Sequence, residues 1–137
     1  MPQNKQMASL IETKLSAALF RECLALVEDG IASPEDIDTV VKNTIGRRLA
    51  VGGPFEIWEQ IGWDLVQTIA GELFKEISNS EEPMDLLRNR VNSGQLGVET
   101  GSGFYEWSKE DIVEIRQRFD VQERKIQLVV FTSDNTP

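Results

Sequence analysis

The stretch LSAALFRECLALVEDGIASPEDIDTVV, residues 15–41, decides the fold, because it reads as two helices joined by one short turn. The first of these helices is predicted to run from about Met7 to Asp29. At about 100° per residue, Lys14, Arg21, Glu22, Glu28 and Asp29 fall in one narrow wedge. Leu10, Ala17, Phe20, Leu24, Val27 and Ile31 line one side, and Leu15, Leu19, Cys23 and Leu26 the next. The apolar arc spans roughly 200°, about twice the stripe of an ordinary surface helix. Such a helix is expected to be covered on more than one side, by its own domain and by a second subunit. Gly30 ends it, as a glycine just past the last turn commonly does. Ser33-Pro34-Glu35-Asp36 then starts the next helix: Ser33 caps, Pro34 suits the first helical position, and the two acids favour the positive end of the dipole. Ile37, Val40, Val41 and Ile45 give that helix its apolar face, and Gly46 is expected to close it.

Outward from this pair, the same helical spacing continues. Gly52-Gly53 is a flexible turn, and Pro54 starts a helix with Phe55, Trp58 and Ile61 inward. Gly62-Trp63-Asp64 interrupts it, and Asp64 is expected to cap a further helix carrying Val66, Ile69, Ala70, Leu73, Phe74 and Ile77. SNSEEP is a loop, Pro83 opens a shorter helix with Met84, Leu87 and Val91, and Gly94 ends it. Ser108-Lys109-Glu110-Asp111 resembles a capping box, followed by Ile112, Ile115, Phe119 and Ile126. The run IQLVVF at 126–131 has no strand to pair with and is read as a helix end or irregular segment. The expectation is one all-α domain of five to six helices over residues 7–130, with 1–6 and 131–137 loose.

Composition narrows the function. With 14 Lys and Arg against 23 Asp and Glu, the formal charge of −9 repels a phosphate backbone, so nucleic acid is not an expected partner. Arg47–Arg48 is the one local basic pair of note, read as a solvated helix end in preference to a phosphate site. A single cysteine cannot form an internal disulfide, and no apolar run is long enough for a membrane helix, so a cytoplasmic setting is expected. Cys23 sits on an apolar face, where an inert thiol is expected rather than a nucleophile. There is no histidine, which removes the commonest general base and metal ligand. No glycine-rich dinucleotide fingerprint or phosphate loop occurs, and no metal site is expected.

Three stretches, in order, carry a family resemblance: LSAALFRECLALVEDGIASPEDIDTVVKNTIGRR at 15–48, GGPFEIWEQIGWD at 52–64 and LGVETGSGFYEW at 96–107. Together they resemble the C-terminal helical domain of the 3-hydroxyacyl-CoA dehydrogenases, a domain type shared with the 6-phosphogluconate-type dehydrogenases. The resemblance implies a two-domain enzyme. Its N-terminal part would bind NAD and carry a catalytic histidine–glutamate pair, and its helical part would close the cleft, help hold acyl-CoA and make most of a dimer contact. It also implies that the glycine-rich bend returns the chain towards the cleft, with Phe104 and Tyr105 plugging it onto the helices. Two positions depart from the family pattern. Thr13 stands where the family's opening motif has an asparagine, and Glu99 stands where the bend has a lysine near the cofactor. Threonine lacks the reach of the amide, and a carboxylate repels an anionic dinucleotide. No catalytic and no cofactor-binding residue is therefore assigned to this chain.

The reading that follows is a substrate-cleft and dimerisation domain, not catalytic alone. NAD is implied only for a full enzyme with a separate NAD-binding domain or subunit. The alternatives are a non-catalytic homodimeric scaffold and an acyl-CoA-binding module using Arg47 or Arg48 on phosphate.

Overall fold

The computed structural model describes the backbone of residues 2–134 and the side chains of residues 4–121. The helices are α1 (Pro2–Glu28), α2 (Pro34–Asn43), α3 (Ile45–Leu49), α4 (Pro54–Ile61), α5 (Trp63–Leu73), α6 (Asp85–Asn92) and α7 (Lys109–Asp134). Six are of ordinary length or longer, and α3 is a five-residue turn of helix. Among the described residues there is no strand, only isolated bridges from Ser102 to Gly97 and to Glu106. The fold is all-α, as the helical spacing requires.

The chain divides into two compact units, Met1–Arg88 and Asn89–Pro137, with the division inside α6. In the first unit, α2 packs on α1 and on α3, and α4 packs on α5. The turn between α1 and α2 forms as its sequence dictates: Gly30 takes φ 73°, and the Asp36 amide donates to Ser33 Oγ at 3.1 Å while the Ser33 amide donates to Asp36 Oδ2 at 3.2 Å. The 78–80 loop is tied to α1 across a long sequence separation. The Ser78 amide donates to Glu22 Oε2 at 2.7 Å, and Arg21 Nη1 donates to the Ser80 carbonyl at 3.4 Å. The second unit holds the glycine-rich bend and α7, whose start repeats the reciprocal cap: the Asp111 amide on Ser108 Oγ, and the Ser108 amide on Asp111 Oδ2.

Several expectations need correction in detail. α1 begins at Pro2 rather than Met7, so its helical backbone includes residues 2–6. Proline suits a first turn, and the glutamine, lysine and methionine that follow are good helix formers. Gly46 does not close α2. That helix stops at Asn43, where the Asn43 side-chain amide and the Thr44 hydroxyl both bond back to carbonyls one turn earlier, and Gly46 lies inside α3. A Cβ on Gly46 would stand 3.0 Å from the Val41 carbonyl oxygen, so glycine lets α3 pass close to the end of α2. Asp64 is not a cap. It sits in the first turn of α5, with Gly62 at φ 101° making the break. α5 ends at Leu73, which leaves Phe74 and Ile77 in the turn beyond it, and α6 opens at Asp85, after Pro83 and Met84. Of the two readings of 126–131, helix end or irregular segment, the helical one holds, and the backbone of α7 reaches Asp134. The side chain of Ile126 lies outside the described residues.

The wide apolar arc of α1 is half-buried only from Arg21 to Val27, with Ala17 beside it. Further towards the N-terminus it is open: Met7, Leu10, Ile11, Leu15, Leu19 and Phe20 keep between 49% and 59% of their surface exposed. No side chain among the described residues is buried.

Candidate functional site

The glycine-rich bend is built from hydrogen bonds that it makes with itself. Gly97 at φ 106° and Gly101 at φ 78° let the chain double back around a short 3-10 turn, Val98–Thr100. The Thr100 hydroxyl is the hub: it accepts from the Leu96 amide at 3.0 Å and lies 2.9 Å from the Ser102 carbonyl and 3.3 Å from that of Gly97. Backbone bonds close the loop from the Gly97 amide to the Ser102 carbonyl, from Gly103 to Tyr105 and from Trp107 to Gly101, each at 2.9 Å. The Ser102 hydroxyl donates to Glu106 Oε1 at 2.8 Å. A Cβ on Gly103 would stand 2.9 Å from the Gly97 Cα, so the two arms of the bend touch where only hydrogen fits.

The aromatics fix the bend in its unit. Tyr105 and Trp107 meet edge to face with centroids 6.0 Å apart, and the Arg90 guanidinium lies 4.8 Å above the Phe104 ring. Arg90 Nε is shut off from solvent and has no hydrogen-bond acceptor. The Thr100 and Ser102 hydroxyls are thus both bonded within the bend. Neither Thr100 nor Arg90 was found by sequence reasoning. Thr100 carries a signal, a short hydroxyl between turn glycines; Arg90 carries none, since its partner lies fourteen residues away on the other side of the bend.

Thr13 and Glu99 belong to different units. Thr13, on the exposed N-terminal part of α1, donates its hydroxyl to the Ser9 carbonyl at 2.8 Å, so its proton is used within its own helix. Glu99 is exposed on the 3-10 turn and places its negative charge outward. Arg47 and Arg48 are exposed in the last turn of α3, where their charge complements the helix dipole. Cys23 is half-buried, and its thiol pKa is pushed up by burial first, then by the nearby Asp38 and Glu22 carboxylates. That leaves it less thiolate, and less reactive, than an ordinary cysteine. Among the described residues, no three His, Cys, Asp or Glu side chains are grouped to hold a metal ion, and no helix is long and apolar enough to cross a membrane.

A second aromatic group lies at the α4–α5 junction. Phe55, Trp58 and Trp63 pack with centroids 5.4–6.1 Å apart, and Trp63 Nε1 donates to Glu59 at 3.1 Å. Glu56 has a more specific role than a favourable helix-start charge: its carboxylate accepts from the Gly53 amide at 2.9 Å and caps α4.

The family model of the 3-hydroxyacyl-CoA dehydrogenase C-terminal domain matches residues 11–107, from within α1 through the bend. A 5-formyl-3-hydroxy-2-methylpyridine 4-carboxylate 5-dehydrogenase of Mesorhizobium japonicum is 29% identical over 77% of this chain and 34% of its own length. The mitochondrial hydroxyacyl-coenzyme A dehydrogenase of Homo sapiens is 30% identical over 75% of this chain and 32% of its own length. A crystal structure of the pyridine-carboxylic acid 5-dehydrogenase, an NAD+-dependent dismutase, superposes with a TM-score of 0.78 at 26% identity, covering 93% of this chain and 40% of that one. The chain thus spans about a third of the length of these curated relatives. Helices α2 to α6, the capped turn at 30–36 and the self-bonded bend all fall within the matched region, and the chain belongs to the 3-hydroxyacyl-CoA dehydrogenase family, at its C-terminal helical domain.

Proposed function

We propose that this chain is the closing, helical half of an NAD-dependent hydroxy-acid dehydrogenase, inert in hydride transfer without a dinucleotide-binding half. The observation that carries this reading is a family match over 11–107 in a chain with no histidine. Oxidation of a secondary alcohol by hydride transfer needs a base for the hydroxyl proton, and the family places its histidine–glutamate pair on the other domain. The chain's own residues supply packing: the Ser33 and Glu56 caps, and the bend whose hydroxyls bond inward. Thr13 spends its hydroxyl on its own helix, and the Glu99 carboxylate disfavours an anionic cofactor beside the bend. The half-exposed α1 arc supports pairing of the chain with itself. A cytoplasmic setting suits the single, unpaired cysteine.

Two substrate classes follow from the relatives: a 3-hydroxyacyl thioester, and a hydroxylated pyridine carboxylate as in the Mesorhizobium relative. The chain is mixed with the dinucleotide-binding domain of a family member and given NADH with acetoacetyl-CoA, or NAD with the pyridine substrate. Turnover is expected in the mixture with one of the two substrates and in neither component alone. Turnover by the chain alone, or none in the mixture despite demonstrated binding of the two parts, overturns the reading.

A further inference from the structure

We propose that the groove between α1 and the 80–87 segment binds a small monocarboxylic acid with an apolar body, its carboxylate held between Lys14 and Arg21 on α1. All of the residues that line this groove belong to the first unit, so the site is complete without the bend and without a second chain.

Helical spacing sets the α1 wall. Lys14, Ala17, Ala18 and Arg21 stand at i, i+3, i+4 and i+7, one stripe along the helix. The two cations are thus about 10 Å apart along the axis, with only two methyl side chains between them. The alanines leave a saddle that the longer cationic side chains flank. The floor beside it is apolar: Leu24, Met84 and Leu87 are half-buried there, next to Ala17. The groove has a volume of about 450 Å³, within the range of small-molecule clefts. Its far wall is pinned in advance, since the Ser78 amide donates to Glu22 Oε2 at 2.7 Å and the Ser80 hydroxyl donates to the Glu82 carbonyl at 2.8 Å.

Charge and hydrogen bonding select the ligand. Lys14 takes part in no ion pair among the described residues. Arg21 Nε is shut off from solvent with no acceptor, and Arg21 Nη1 reaches only the Ser80 carbonyl at the long distance of 3.4 Å. A guanidinium short of acceptors is what a carboxylate satisfies, through charge-assisted bonds about twice as strong as neutral ones. On the facing wall Glu82 is held by Arg88 at 3.0 Å, which leaves Glu81 as the carboxylate of the groove with no ion pair among the described residues. Two available cations against one available carboxylate suit a single negative charge and disfavour the dianionic head of a phosphate ester. A cationic ligand would be repelled by Lys14 and Arg21, and a wholly polar anion would gain nothing from Leu24, Met84 and Leu87.

Titration of the full chain with phenylbutyrate, followed by the NMR shifts of its backbone amides, tests this. Saturable shifts are expected at residues 14–24 and 80–87, at millimolar ligand or below. Phenylbutanol keeps the body and lacks the charge; inorganic phosphate has charge and no body. Each should bind at least ~10-fold more weakly than phenylbutyrate. Arg21→Gln should weaken phenylbutyrate at least ~10-fold, and Lys14→Gln, on an exposed side chain with no partner to lose, at least about threefold. Met84→Gln, similar in length but polar, should weaken it at least about threefold through the floor. No saturable shift with phenylbutyrate overturns the site, and shifts centred on other residues overturn the groove. Equal affinity for phenylbutanol, or parent affinity in Lys14→Gln and Arg21→Gln, overturns the seat of the carboxylate between the cations. Phosphate bound as tightly as phenylbutyrate overturns the ligand class. None of these readouts involves hydride transfer, so failure here is separate from failure of the dehydrogenase reading.

Discussion

Gly103 and Gly71 show what one hydrogen in place of a methyl can decide. At Gly103 a Cβ would press to 2.9 Å from the Gly97 Cα and 3.1 Å from its amide nitrogen, and neither is the loose end of a side chain that can swing away. Gly103→Ala is expected to cost about 1–3 kcal/mol, the range of overpacked sites. Gly71 lies inside α5, and a Cβ added there would meet nothing within 4 Å. Gly71→Ala should therefore stabilise by about 0.5–1 kcal/mol through reduced freedom of the unfolded chain. Urea midpoints of the two variants, moving in opposite directions, check both. That the segment 97–103 turns sharply was legible from its glycines. Which glycine is limited by space was not, because the limit is set by a backbone that comes back from six residues away. Thr13 gives the same lesson: its identity was readable, but its hydroxyl's use on the Ser9 carbonyl depends on α1 already being helical there.

At the scale of elements, the starts of helices were the most readable feature, since a cap needs only residues three apart. Both reciprocal caps, Ser33 with Asp36 and Ser108 with Asp111, form as their spacing requires. The ends were less readable. α2 stops three residues before Gly46, through side chains that bond back to their own helix, and Asp64 lies in the first turn of α5 rather than capping it. The Ser108 cap has a pH consequence. The Asp111 carboxyl is held below the ordinary aspartate range, first by the Ser108 amide and then by the Ser108 hydroxyl. A carboxyl depressed on folding stabilises the fold above its unfolded pKa, and that contribution is lost as pH falls through the folded value. The start of α7 is therefore expected to keep its cap through mild acid and lose it only below the ordinary carboxylate range. Ser108→Ala removes the hydroxyl but keeps the amide, so the Asp111 titration should move part of the way back up. Carboxyl NMR titration of parent and variant measures this, and identical titrations would show that the hydroxyl contributes nothing.

For the whole molecule, the absence of any buried side chain among the described residues governs behaviour. Folding must offset about 1–2 kcal/mol of backbone entropy per residue, and only apolar surface withdrawn from water can do so on that scale. A 27-residue helix whose N-terminal apolar side chains stay half exposed, such as α1, withdraws little of it alone. The width of the α1 arc was legible in the sequence as a demand for cover on two sides; what provides the cover was not, because no local pattern encodes a partner surface. If a second copy provides it, folding and pairing are one equilibrium, and apparent stability must follow protein concentration by mass action. Each tenfold rise in concentration should then add about 1.4 kcal/mol to the apparent stability of the dimer, moving the urea midpoint upward in even steps. The parent chain, unfolded at about 1, 10 and 100 μM, should show those steps, and Phe20→Glu should unfold at a lower midpoint throughout. A midpoint fixed across the series would mean that a second copy contributes nothing to the fold.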